Sequence, residues 1–319
     1  MNLQTTNTSS TASAAHSNAA AAENSFLPSW QRFRGYIIFA VVLAVVFCRP
    51  LWELLKFAPH KELYSHILLI PFISGYLAWM KRREPVPASR PNRAPAVVPF
   101  LAGASVLALY QYGLAHHWRI ETADYLAAMT LAFLCFLLSG AFIFIQRNYL
   151  KSLTFPIAFL LFCVPFPTFL QDGIESFFQH GSAHVAYAMF STSGMPVLKT
   201  GTYFLLPGFS LDVQPECSGI HSSLVLFITS LVAAYLFLET PVRRWLFVLF
   251  VIPLALLRNG FRVFTLGEIG VHWYPQVLDS WFHHHGGPIF FLLSLVPLFL
   301  LLVYLMKGEA RKRAARTNS

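Results

Sequence analysis

Apolar residues in this chain come in long blocks, at roughly 35–55, 63–80, 95–114, 125–145, 153–170, 219–238, 245–266 and 288–306. Each block is close to the ~20 residues that an α-helix needs to cross the hydrocarbon core of a bilayer. The pattern predicts eight membrane helices, and we find no internal repeat among them. Residues 1–28 are Ser, Thr, Asn and Ala with almost no large apolar side chains. Such a stretch cannot bury a core and is expected to be a disordered tail. It lacks the basic-then-apolar layout of a cleaved signal peptide, so the first span is expected to be retained.

Two polar-interrupted segments separate the fifth and sixth blocks. In 171–200, Ile174, Phe177, Phe178, Val185 and Tyr187 make an amphipathic pattern broken by Gln179, His180 and His184. This reads as an interfacial helix on the outer face; a ninth span is the alternative. From Gly201 to Val213, apolar and small residues alternate around Pro207-Gly208, which predicts a short β-hairpin. The domain layout expected is a tail at 1–28, a single transmembrane domain at 29–308 and a basic cytoplasmic tail at 309–319.

Composition agrees. The 319 residues are 56% hydrophobic and 12% charged, against about 25% charged in soluble domains. Mean hydropathy is +0.55. The fold class expected is an all-α polytopic membrane protein. A net charge of +9 would suggest nucleic acid in a soluble protein, but here its position matters more than its size. If the N-terminus is cytoplasmic, every inner segment is basic: Arg32 and Arg34; Lys81, Arg82, Arg83, Arg90 and Arg93; Arg147 and Lys151; Arg243 and Arg244; Lys307, Arg311, Lys312, Arg313 and Arg316. Seven of the 23 lysines and arginines fall elsewhere: Arg49, Lys56, Lys61, Arg119, Lys199, Arg258 and Arg262. That bias orients both termini inward. A ninth span would place Arg243 and Arg244 outside, against the bias.

Three chemistries stand out against this apolar background. Cys217 lies in Gln214-Pro215-Glu216-Cys217-Ser218-Gly219-Ile220-His221-Ser222-Ser223, at the start of the sixth block. A helix N-terminus favours thiolate over thiol, so a nucleophile suits this position. Cys48, Cys135 and Cys163 sit inside apolar runs and read as small hydrophobes. Four cysteines without paired spacing give neither a disulfide framework nor a zinc motif. The seventh block holds Arg258, Asn259 and Arg262. The arginines are four apart and share one helix face, and each costs at least a few kcal/mol inside a bilayer. Snorkelling to headgroups competes with a polar site as the explanation. Before the eighth block stand His283, His284 and His285. Imidazole suits proton transfer near neutral pH. Adjacent histidines rarely converge on one metal ion, so no metal and no other cofactor are expected. In the predicted topology thiol, guanidinium and imidazole share the outer side, as acyl transfer through a thioester needs. Asp212 and Asp279 are candidates for a carboxylate that orients the histidine.

Glu-Cys-Ser-Gly-Ile-His-Ser at 216–222, Asn-Gly-Phe-Arg-Val at 259–263 and His-His-His-Gly-Gly at 283–287 resemble the three signatures of the exosortase/archaeosortase family. Tyr64-Ser65-His66, Phe162 through Pro167 and Gly201 through Leu211 add to the resemblance, which covers about 30–306. It implies a multispan cysteine transpeptidase of the bacterial inner membrane with its site on the periplasmic side. Its partners would be the bilayer and exported proteins ending in a sorting motif such as Pro-Glu-Pro, a transmembrane helix and a basic tail. An acceptor nucleophile completes the reaction. The carried-over residues are Cys217 as nucleophile, Arg262 as oxyanion stabiliser and His283 as acid/base, with His284 second. Arg258, Asn259 and His221 are expected at the substrate. His221 replaces an arginine common in relatives, and Gly287 selects His283. A transporter, or a non-catalytic factor in exopolysaccharide export, is the rival reading.

Overall fold

A computed structural model of the chain describes residues 34–81, 91–214, 218–273 and 287–317. The chain divides into two compact units, one up to Pro167 and one from Thr168. Six helices are long and apolar enough to cross a membrane: Glu62–Lys81, Ala94–Ala115, Thr122–Phe144, Ile220–Phe237, Pro241–His272 and Gly287–Ala315. Two bent pairs, Arg34–Val46 with Cys48–His60 and Thr154–Cys163 with Thr168–Ser193, raise the number to as many as eight among the described residues if each pair is one span. The eight apolar blocks therefore correspond to these six helices and two broken pairs.

The first unit contains α1 (Arg34–Val46), α2 (Cys48–His60), α3 (Ile70–Lys81), α4 (Val97–Ala115), α5 (Thr122–Phe144), α6 (Arg147–Ser152) and α7 (Thr154–Phe159). The block at 35–55 is not one rod: α1 and α2 meet at Phe47 with a bend of 75°. Phe47 is buried, its ring against Phe133 and Phe136 of α5. The bend thus turns an aromatic anchor into the unit. The block at 153–170 is interrupted as well. After a 3-10 turn at Leu160–Cys163 the backbone extends at Val164, and residues 165–167 are non-helical. Pro165 and Pro167 lack amide hydrogens and bias the residues before them to extended backbone, so the helix stops there. Valines and aromatics such as Val41, Val45, Phe72, Val98 and Phe100 remain exposed, as lipid-facing side chains would.

The second unit contains α8 (Thr168–Ser193), strands β1 (Leu198–Thr200), β2 (Tyr203–Leu206) and β3 (Phe209–Asp212), then α9 (Ile220–Phe237), α10 (Pro241–Leu249), α11 (Val251–His272) and α12 (Gly287–Thr317). The segment expected at the interface is one long helix, α8, packed along α11. A Cβ on Gly181 would meet Leu256, one on Gly260 would meet Val185 at 2.5 Å, and one on Gly267 would meet Phe190 at 2.4 Å. Both numbers of each pair rise together, so the two helices run parallel. Small residues at the seam, with Ser182, Ala183 and Ala186 buried opposite, let the backbones approach closely.

The expected hairpin is present and gains a third strand. The order is β1-β2-β3, all antiparallel, with Leu206 opposite Phe209 across Pro207-Gly208. Pro207 presets its φ, and Gly208 takes φ +69°, which L side chains avoid. Phe204, Leu206, Phe209 and Leu211 face one side and pack with Phe190 of α8 and with Val263 and Leu266 of α11. The sheet is thus fastened to the α8–α11 pair, immediately upstream of the cysteine segment. The other end of the unit is closed by Glu309 of α12, which accepts from the Glu239 and Thr240 amides ahead of α10.

Candidate functional site

The site is built at the N-terminus of α9. Cys217 lies outside the described residues, as do His283, His284, His285 and Asp279. The chain on either side of Cys217 is described, and it is held on both flanks. Upstream, Gln179 of α8 donates from Nε2 to the Val213 carbonyl at 2.5 Å. The Val213 amide donates to the Thr202 carbonyl at 3.2 Å. Asp212 accepts from the Thr202 hydroxyl at 3.0 Å, so this carboxylate braces the sheet.

Downstream, Ser218 is fully buried, and its hydroxyl accepts from the Ile220 amide at 3.4 Å. Gly219 is the N-cap residue of α9, with φ +73° and ψ 15°. An L side chain there would be strained by backbone conformation and by space. Its Cβ would lie 2.9 Å from Asn259 Oδ1 and 3.2 Å from Arg258 Nη2. The Gly219 carbonyl accepts from the Ser223 amide at 2.9 Å, the Ser223 hydroxyl at 2.7 Å and the Ser222 hydroxyl at 3.1 Å. It also accepts from Arg258 Nη2 at 3.2 Å. The same Nη2 reaches the Ser223 hydroxyl oxygen at 3.0 Å.

Arg258 is 93% buried, and Asn259 beside it is 98% buried. Its Nη1 is buried with no hydrogen-bond partner among the described residues. Burial of a cation among apolar helices costs several kcal/mol unless dipoles or anions offset it. Here a carbonyl and a hydroxyl do part of that work. Arg262 lies one helical turn further along α11, half-buried, close enough for the two positive charges to repel. His221 is half-buried in the first turn of α9.

The structure therefore joins two of the three sequence-predicted motifs. Gly219 of the first touches Asn259 of the second and Arg258 just before it. The roles of Ser223 and Gln179 were not visible in the sequence. Ser223 follows Gly219 by four residues, the helical spacing that lets its hydroxyl reach back to that carbonyl; Gln179 carries no comparable signal. Cys48 is exposed, Cys135 half-buried and Cys163 buried, and all three are free thiols. Among the described residues, no three His, Cys, Asp or Glu side chains gather closely enough to hold a metal ion.

A multi-pass helical membrane protein is thus defined, with a buried arginine fastening the turn at the head of one span. A family model described as transmembrane exosortase matches residues 52–300, and the chain belongs to that family. Comparisons with curated proteins and with solved structures return no match.

Proposed function

We propose that this protein is a cysteine transpeptidase of the bacterial inner membrane. Its substrates are exported proteins whose C-terminal signal combines a short Pro-Glu-Pro-like motif, a transmembrane helix and a basic tail. The observation that carries the reading is the contact of Gly219 with Arg258 and Asn259. It brings the chain two residues beyond Cys217 onto the helix that also bears Arg262.

The Cys217 thiolate attacks the scissile carbonyl carbon, and the carbonyl π electrons move to oxygen. Arg262 stabilises that oxyanion. Collapse re-forms the carbonyl, breaks the C–N bond and expels the amine, which takes a proton from His283. A thioester to Cys217 remains. The acceptor nucleophile then gives its proton to His283, attacks the thioester carbonyl and releases the thiolate. His284 is the second choice for this proton carrier. Asn259 and His221 line the substrate side, and Arg258 stands behind the turn that leads from Cys217 into α9. The N-terminus and the 309–319 tail are cytoplasmic, and the chemistry is periplasmic.

The test is co-expression with a reporter carrying such a C-terminal tail. Cys217→Ala is expected to give no processed product. Arg262→Ala should lower processing by about 10²–10³-fold, the scale of a lost oxyanion donor. His283→Ala should lower it by about 10²–10⁴-fold. Processing by Cys217→Ala at the wild-type rate overturns the reading, and a transporter would tolerate that change.

A further inference from the structure

We propose that Arg258 is a positioning residue: its guanidinium sets the register between the nucleophile and the oxyanion-binding arginine. The proposal rests on the transpeptidase reading and deepens it. Arg258 Nη2 ties the Gly219 carbonyl, at 3.2 Å, and the Ser223 hydroxyl, at 3.0 Å, to α11. Two peptide units separate Gly219 from Cys217, so their Cα atoms lie within roughly 7.6 Å whatever the intervening conformation. Arg258 thus holds the chain two residues from Cys217. Arg262 stands four residues beyond Arg258 on the same helix, about 6 Å along its axis. One turn of α11 thus carries both the clamp on the nucleophile's turn and the cation for the oxyanion.

Two further features fit a clamp. Gly219 leaves no room for a Cβ against Asn259 and Arg258, so turn and helix are in direct contact. Ser223 receives from Arg258 while donating to Gly219, which closes a three-way link between the first turn of α9 and α11. On the upstream side Gln179 holds Val213, so only residues 214–218 lie between two fixed points. Buried cations are costly, and a clamp on the turn beside Cys217 gives a reason for one here.

The experiment uses the full chain in membranes and two independent readouts. The first is the rate at which a membrane-permeant maleimide alkylates Cys217, resolved by peptide mass spectrometry. The second is kcat and KM for a tail-bearing reporter, with the thermal midpoint as a folding control. Arg258→Leu should raise Cys217 alkylation at least about tenfold, the size expected when a hydrogen bond from a charged group is lost. It should lower kcat about a hundredfold, as for a misplacement of about 1 Å, and leave KM within about twofold. Arg258→Lys, which still donates to both oxygens, should recover part of both effects. Gly219→Ala should loosen the same turn from the other side and serves if Arg258→Leu does not fold. Unchanged Cys217 alkylation in Arg258→Leu, or in Gly219→Ala where the former does not fold, overturns the clamp. Undiminished processing by Cys217→Ala overturns the catalytic reading instead, and alkylation still decides the clamp.

Discussion

Ser74 and Ser139 in the first unit, and Arg258 in the second, are all buried polar side chains bonded to backbone carbonyls. Ser74 donates to the Pro156 carbonyl at 2.7 Å, and Ser139 donates to the Ala96 carbonyl at 2.9 Å. Each is a small neutral hydroxyl joining two helical segments, as small polar residues commonly do between membrane helices. Packing alone accounts for them. Arg258 does a similar job with a full positive charge, more side-chain entropy and one nitrogen left without a partner among the described residues. A serine could have tied two helices there at far lower desolvation cost. The difference teaches that the serines join helices at low cost, whereas the arginine costs more than the link it makes to Gly219 and Ser223 requires, which is what motivates the clamp proposed above.

The comparison breaks hardest under charge reversal. Arg258→Glu would place a carboxylate against the Gly219 carbonyl and the Ser223 oxygen, leaving an unpaired buried anion. A loss of about 3–5 kcal/mol is expected, enough to deplete folded protein in a detergent size-exclusion assay. Arg258→Leu, by contrast, should remain folded, since a hydrocarbon in place of a buried charge is often neutral for stability.

Next comes the seam that positions α11. Gly260→Leu drives a side chain into Val185 and the Ser182 carbonyl, which would meet even its Cβ at 2.5 and 3.1 Å. About 1–3 kcal/mol of overpacking should lower the thermal midpoint and carry processing down with it. A midpoint at the wild-type value would mean that α8 and α11 separate without loss.

In the first unit, Ser74→Ala and Ser139→Ala should each cost about 0.5–1.5 kcal/mol, read as a lower thermal midpoint. Neither should alter Cys217 alkylation. A change in that rate would show that the first unit's serines share the second unit's functional role. The smallest effect is expected at Arg49, whose ion pair with Glu53 is largely exposed, with 86% of the arginine side chain accessible. Arg49→Ala should shift stability by no more than about 0.5 kcal/mol in the same melt.

Much of the architecture was legible because a bilayer restricts the options. Blocks of about 20 apolar residues have essentially one backbone solution, and six of the eight blocks each form one candidate span, while 35–55 and 153–170 are bent or broken. The Pro207-Gly208 turn was legible because both residues restrict φ locally. The three-residue strand β1 was not: Leu198–Thr200 is too short for periodicity to register, and pairing with β2 defines it. The bend at Phe47 was also hidden, since an aromatic inside an apolar run looks the same whether the helix is straight or turned. In α8 the polar residues Gln179, His180 and His184 suggested a helix at an interface. Its Gly181 meets Leu256, and its Val185 and Phe190 meet Gly260 and Gly267 of α11, partners that lie 75 to 77 positions later in the chain, beyond any local pattern.

By itself the sequence determined that this is a helical, multi-pass member of the transmembrane exosortase family, because span length and motif residues are local properties of the chain. It also marked Arg258 and Arg262 as costly and therefore informative. The tertiary structure alone decided that Arg258 turns inward to hold Gly219 and Ser223 while Arg262 stays half-exposed. Both arginines occupy the same helix face and have the same charge. They differ only in what stands opposite, and the turn that meets Arg258 comes from a segment nearly 40 residues away.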